Sequence, residues 1–537
     1  MKQNQYLFLL FTLIVLTGCG GTQKKLTEYV NPFLGTATLW EPEDLGYTRK
    51  IKSRTWGAET YPGATLPNAM VQLSPVTQFR SGAGYQYEDT VIYGFSHTAK
   101  GHWNLLHVPM LPVVGTIAPG NYCSGFSHEK ESAHPGYYQV YLERYKVNAE
   151  LTSTLRCAYH KYTFAKGDDK SLLVDIRRSN NDVRDWKIEK VDDNTFTGYQ
   201  DGDGKIYFYA KTNYKIGQVE MVKDDKHEVA VLRFIDSKGV EPLEVKAGFS
   251  FVSIENARLN LDREQEGRNF EQIHAEARAK WNDDLSRITV EGGTDAQKTV
   301  FYTALYHLLI HPNILQDVNG EYPAMESDKI MTTKGDRYTV FSLWDTYRNV
   351  HQLLTLVYPE RQMEMVRTML DMYREHGWLP KWELYGRETL TMEGDPSIPV
   401  IVDTWMKGLR DFDVDLAYEA MYKSATLPGA ENLMRPDNDD YMSKGYVPLR
   451  EQYDNSVSHA LEYYIADFAL SRFADALGKK KDAEMFYKRS LGYKHYYSKE
   501  FGTFRPILPD GTFYSPFNPR QGENFEPNPG FHEGNSW

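Results

Sequence analysis

The chain has 537 residues, 41% of them hydrophobic and 25% charged, with a formal net charge of -12. That balance is ordinary for a globular chain that buries a core, and the length predicts two or three domains. The acidic excess argues against nucleic acid as a partner, because a polyphosphate would be repelled.

The first residues read as an export signal: Lys2, an apolar run from Tyr6 to Leu16, then Leu16-Thr17-Gly18-Cys19. This predicts a lipoprotein signal peptide over residues 1–18, a lipid on Cys19, and a tether over residues 19–27. The run is shorter than the roughly 20 residues a spanning helix needs. Membrane contact is therefore expected through the lipid on Cys19, with the body exported to the periplasm or the cell surface. Only Cys123 and Cys157 remain to pair, too few for a disulfide framework, and the sequence leaves their pairing open.

Residues 28–269 are rich in Gly, Tyr, Thr and Pro with short β-prone runs, such as Tyr137 to Leu142 and Ile206 to Tyr209, and Leu243 to Ile254 continues the pattern. This predicts an antiparallel β-sandwich. Residues 270–290 read as a linker, helical over Phe270 to Trp281. Beyond Glu291 the spacing turns helical: Val300 to Ile310, Met363 to His376 before Gly377, Asp403 to Ser424, Ser456 to Leu477 before Gly478, and Asp482 to Tyr497. A sandwich followed by a helical array predicts an (α/α)6 toroid over residues 291–537. About six or seven helices are roughly half of what six closed pairs require, so the toroid is expected to be incomplete at its C-terminus.

Four segments set acidic residues among aromatics and glycines: Phe341 to Arg348, Gly377 to Trp382, Gly386 to Asp395, and His532 to Trp537. Such surroundings raise a carboxyl pKa toward the range where it transfers protons, and cleavage of a glycosidic bond generally uses two carboxyl groups. An aromatic content of 14% suits stacking on sugar rings, although aromatics more often fill cores.

In this order the four segments resemble the catalytic domain of glycoside hydrolase family 92. The N-terminal half resembles that family's sandwich domain, through Val30-Asn31-Pro32-Phe33-Leu34-Gly35-Thr36, Thr60 to Pro67, Val71 to Pro75, Gly94-Phe95-Ser96-His97-Thr98, and Phe126 to Glu129 with Pro135 to Tyr138. The resemblance implies a calcium-dependent exo-acting α-mannosidase that inverts the anomeric centre and acts on mannose-containing glycans. It makes Glu533, in Glu533-Gly534-Asn535-Ser536-Trp537, the general acid. It supplies no residue of this chain as general base, and places most Ca2+ ligands beyond Trp537. Asp345 resembles a sugar-binding aspartate beside Trp344 and Arg348; an ion pair between Asp345 and Arg348 is the alternative. Phe33, Gly35, His97, Glu388 and Asn535 fall in segments expected to line the sugar pocket.

One stretch departs from the family pattern: after Thr98 the chain reads Ala99-Lys100-Gly101-His102-Trp103-Asn104. That loop is expected to face the leaving group, with Lys100, His102 and Trp103 recognising the aglycone. Two other readings stand beside the mannosidase: a surface lipoprotein that holds glycans without cleaving them, and another toroid glycosidase or phosphorylase.

Overall fold

The computed structural model describes residues 24–38, 57–100, 105–202, 204–450, 455–519 and 530–531. The expectations for Cys19, His102, Trp103, Glu533 and Asn535 lie outside the described residues.

Strands in the N-terminal half alternate buried and half-buried positions, as in Gly204–Thr212, which is how a sheet with one covered face reads. They form two antiparallel sheets. The seven-stranded sheet runs Ala64–Thr65, Gln72–Val76, Gly94–Ser96, Met110–Val114, Lys170–Val174, Glu228–Phe234, Ile216–Lys223. The eight-stranded sheet runs Asp185–Lys190, Thr195–Gly202, Gly204–Thr212, Leu243–Ser250, Cys157–Thr163, Val147–Ser153, Tyr137–Leu142, Glu131–His134. Their inner faces meet in a core where Phe95 of the first sheet packs on Tyr138 and Tyr162 of the second, with ring centroids 6.3 and 6.2 Å apart. Cys123 and Cys157 are free thiols.

The strand Leu243–Ser250 ends earlier than its β-prone continuation suggests. Ser253 accepts a hydrogen bond from Asn256 N and starts the helix Ile254–Gln265, which the sequence reading assigned to the sandwich run and its sequel. A side chain at Gly248 would bring Cβ within 2.2 Å of Ala257 O, so only glycine lets this helix lie so close to the sheet.

The helix Phe270–Leu285 opens with a capping box between Asn269 and Gln272. It docks on the sandwich through Trp281, whose Nε1 donates to Thr65 O at 2.6 Å. Nine α-helices follow residue 291 among the described residues, two of them the short pieces Leu343–Thr346 and Asn438–Lys444. Pro359–His376 ends on Gly377, whose φ of +86° supplies the left-handed stop. The expected single helix from Asp403 to Ser424 is instead two, Ser397–Met406 and Val414–Thr426. Gly408 at φ +94° breaks the run and Asp413 caps the restart by accepting from Leu416 N. The helix expected to reach Tyr497 ends at Ser490 and tightens into a 3-10 turn, Leu491–His495.

Sandwich and helical array are joined by polar and aromatic contacts. Asn31 N donates to Thr303 Oγ1 at 3.0 Å, Arg156 Nε donates to Gln316 O at 2.7 Å, and Phe251 stacks on Tyr385 at 5.0 Å. Among the described residues no helix is long and apolar enough to cross a membrane.

Candidate active site

Three of the four segments meet in a three-stranded sheet of Phe341–Ser342, Trp382–Leu384 and Arg387–Glu388, with Ser342 opposite Trp382. Tyr385 (φ +53°) and Gly386 (φ +81°) make the tight turn between the last two strands, the two-residue geometry that a hairpin's twist favours. Glu388 is the scaffold of this corner. Its carboxylate accepts from Lys381 N at 2.8 Å, Trp382 N at 3.0 Å and Leu390 N at 2.8 Å. Those main-chain donors engage both oxygens of the half-buried Glu388 and give it a structural role beside the expected sugar contact. Beyond it, Leu390 and Met392 hold φ values of +56° and +66°, backbone strain of the kind that collects at functional sites.

The short helix Leu343–Thr346 carries Trp344 and Asp345. Asp345 is exposed, and its Oδ2 accepts from the Ser342 hydroxyl. Arg348 reaches across to Glu462, donating from Nη2 to Oε1 at 2.9 Å, while its guanidinium lies over the Trp344 ring at 4.5 Å. Tyr347 OH also donates to Glu462, at 2.6 Å. Burial pushes the Glu462 carboxyl up to about 7, and neighbouring Glu393 adds to the rise, against the downward pull of Tyr347 and Arg348. Glu462 is absent from the sequence-based candidates. The available signal was an acid in the otherwise aromatic and aliphatic stretch Ala460 to Ala466, since a charge on a buried helix face implies a partner.

Behind this layer sits a second, fully buried charge network. Arg435 Nε donates to Asp395 at 3.2 Å and its Nη1 to Asp467 at 2.8 Å. Arg489 approaches the second oxygen of Asp467 at 2.8 Å, and Tyr441 OH donates to that carboxylate at 2.9 Å. Lys381 is also buried and donates from Nζ to Met434 O at 3.2 Å; burial lowers its pKa against the opposing pull of Glu388, Asp395 and Glu393.

The sandwich residues divide. Phe33 is half-buried, 6.4 Å from the Tyr85 ring and 6.1 Å from that of Tyr87. Gly35 turns the chain at φ +94°, where a Cβ would sit 2.9 Å from that of Ala58. His97 is fully buried in the sandwich, its Nε2 3.0 Å from His160 Nε2 and its ring 4.3 Å from Phe249. Burial lowers its pKa to about 3. The strand Gly94–Ser96 delivers His97 to the interior, so it is a core residue and the expected sugar contact is corrected. Lys100 is likewise buried; it donates to Met70 O at 3.0 Å and to Gln72 Oε1, which removes it from leaving-group recognition.

Gly530 and Phe531 lie at the first turn of the helix Ser456–Ala476, where Val457 N and Ser458 N donate to Gly530 O at 2.9 and 3.2 Å. Phe531 is buried near Phe517. Among the described residues no three His, Cys, Asp or Glu side chains gather as a metal cage.

Comparison with known proteins extends over the whole of this architecture. The glycosyl hydrolase family 92 N-terminal domain matches residues 29–262 and the glycosyl hydrolase family 92 catalytic domain matches residues 256–537. The family GH92 alpha-mannosidase BT3965 from Bacteroides thetaiotaomicron, solved in complex with mannoimidazole, is 31% identical with a TM-score of 0.85, over 95% of this chain and 70% of that one. The family GH92 inverting mannosidase BT2199 from the same species is 28% identical with a TM-score of 0.84, over 96% of this chain and 70% of that one. An uncharacterized secreted glycosidase from Arthroderma benhamiae is 24% identical over 87% of this chain; the chain spans 64% of that relative's length. On two matching domains and this shared fold, the chain belongs to glycosyl hydrolase family 92.

Proposed function

We propose that this protein is an exported glycoside hydrolase that removes terminal α-linked mannose from glycans with inversion of the anomeric centre. The observation that carries the reading is the Trp344–Asp345 helix: an exposed carboxylate steadied by Ser342, beside a buried indole, in a chain whose similar structures include α-mannosidases. Asp345 accepts hydrogen bonds from ring hydroxyls while Trp344 shapes the wall. Glu533 protonates the leaving oxygen, a role that rests on the Glu533-Gly534-Asn535-Ser536-Trp537 motif. Calcium dependence and the lipid anchor on Cys19 belong to the same proposal, supported by family resemblance and by the Leu16-Thr17-Gly18-Cys19 motif respectively.

The test is hydrolysis of an aryl α-mannoside in calcium buffer, with the first-formed anomer followed by proton NMR. β-Mannose is expected first, with turnover lost in chelator and restored by calcium. First-formed α-mannose, or turnover indifferent to chelation, overturns the corresponding part. Asp345→Ala should raise KM by about tenfold or more, because a charge-assisted hydrogen bond to the sugar is lost. An unchanged KM and kcat would remove Asp345 from the pocket.

A further inference from the structure

We propose that Glu462 is a positioning residue that fixes the Trp344–Asp345 helix relative to the segment leading to Glu533. The proposal rests on the mannosidase reading for its catalytic readout only.

A helix of four residues such as Leu343–Thr346 does not hold itself, since an isolated turn fixes many torsions for few hydrogen bonds. Ser342 offers no side-chain cap at its start. Its orientation must come from further contacts, one local before Asp345 in the chain and one tertiary after it. Ser342 Oγ donates to the Asp345 carboxylate, and Glu462 takes Tyr347 OH at 2.6 Å and Arg348 Nη2 at 2.9 Å. Arg348 in turn covers Trp344, so displacing it frees both the ring and the helix.

Glu462 is itself backed without slack. Gly394 stands at φ +87°, and a Cβ there would lie 2.5 Å from Glu462 Cβ. Its helix, Ser456–Ala476, is 21 residues long and buried along most of its length, so it behaves as a rod. Five residues before Glu462, about 7.5 Å along that rod, Val457 N donates to Gly530 O. One rigid element therefore holds the approach to the candidate acid at its first turn and the candidate sugar-binding helix one to two turns later. Nothing in the primary sequence links these three segments.

The clamp depends on charge. Facing Glu462 are Tyr347 and Arg348 from the short helix and its sequel, and Glu393 from the loop before Gly394. Burial places the carboxyl near neutrality, at about 7. Protonation turns the ion pair with Arg348 into a neutral contact, so the clamp loosens as pH falls through that value.

Glu462→Ala should raise KM for an aryl α-mannoside by about tenfold while kcat changes by less than about threefold, because Glu462 touches no reacting atom. Glu462→Gln, which still accepts from Tyr347 and Arg348 but carries no charge, should give a KM between those of wild type and Glu462→Ala, close to the wild type's low-pH value. Wild-type KM should rise below about pH 7, and the Gln variant should lack that inflection. Equal losses in both variants, an unchanged KM in Glu462→Ala, or an inflection that persists in Glu462→Gln would overturn the proposal.

A readout free of catalysis separates this from failure of the mannosidase reading. The fluorescence difference between wild type and Trp344→Phe should titrate near pH 7, because Arg348 lies on Trp344. A protein that cleaves no mannoside yet shows this titration, absent in Glu462→Gln, retains the positioning role and loses the substrate. A flat titration overturns the role whatever the substrate.

Discussion

Arg435→Leu is expected to lower the free energy of unfolding by about 3–5 kcal/mol, since it strands two buried carboxylates. Arg435 is 0% exposed and bridges Asp395 to Asp467, themselves 2% and 0% exposed. Arg489 and Tyr441 would still face Asp467, while Asp395 would keep the Ser424 hydroxyl and the longer-range pull of Lys381. Chemical denaturation measures the loss. The double variant Arg435→Leu with Asp395→Asn should recover part of it, because the neutral amide no longer needs a counter-charge. A loss below about 1 kcal/mol would mean that water or another cation replaces the guanidinium. The network also bears on the site, because Asp395 follows Gly394, the residue pressed against Glu462.

What the sequence made legible was local. The helix Pro359–His376 and its stop at Gly377 follow from spacing and from one residue that accepts positive φ. The strand Tyr137–Leu142 follows from alternation. The break inside Asp403 to Ser424 was missed because Met406 to Phe412 carries enough apolar residues to sustain a helical pattern through Gly408. Ile254–Gln265 was missed because its register is dictated by the close approach at Gly248, a tertiary fact.

The site shows the same division. Trp344, Asp345 and Glu388 were picked out because they sit in compact motifs. Which of them faces solvent was decided by folding: three main-chain N–H groups engage Glu388, while Asp345 stays exposed. His97 sits in a motif as well, yet the parity of its strand sends it inward to His160, a partner 63 residues away. A pair between Arg348 and Asp345, three residues before it, was the alternative to a sugar-binding role for Asp345. Arg348 donates to Glu462, 114 residues on, and of the two carboxylates Glu462 is the desolvated one. Short-range rules such as an i,i+3 pair describe exposed helices and lose to a buried charge that needs a partner.

Acidification is expected to lower stability gently between about pH 6.5 and pH 4.5, where buried histidines outnumber opposing buried carboxyls, and to unfold the protein steeply below about pH 4.5. Burial lowers six histidines strongly, His97, His107 and His311 to about 3, His307 and His351 to about 4, and His160 well below its ordinary value, and lowers His134 and His274 as well. Each of the six is neutral when folded but titrates near 6.5 when unfolded, so its contribution is complete above 6.5 and is lost as pH falls toward 3 or 4. Burial acts on four carboxyls in the other sense, raising Asp175 to about 6, Glu383 and Glu462 to about 7, and Asp317 upward. Their contribution is complete below the unfolded carboxylate range and is lost as pH rises through the folded values. Between about 6.5 and 4.5 the two sets therefore oppose each other. As pH falls through the unfolded carboxylate range that opposition fades, and each histidine still neutral in the folded protein withdraws about 1.4 kcal/mol per pH unit. Thermal melts from pH 8 to pH 3 should show a gentle limb and then a steep one. His351→Gln, which keeps a polar side chain between Thr346 Oγ1 and Gln362 Oε1, should reduce proton uptake on unfolding by about one. A decline from 6.5 as steep as that below 4.5 would show that the buried carboxyls are ionised in the folded protein. Stability held down to pH 3 would show that the buried histidines already carry their protons there.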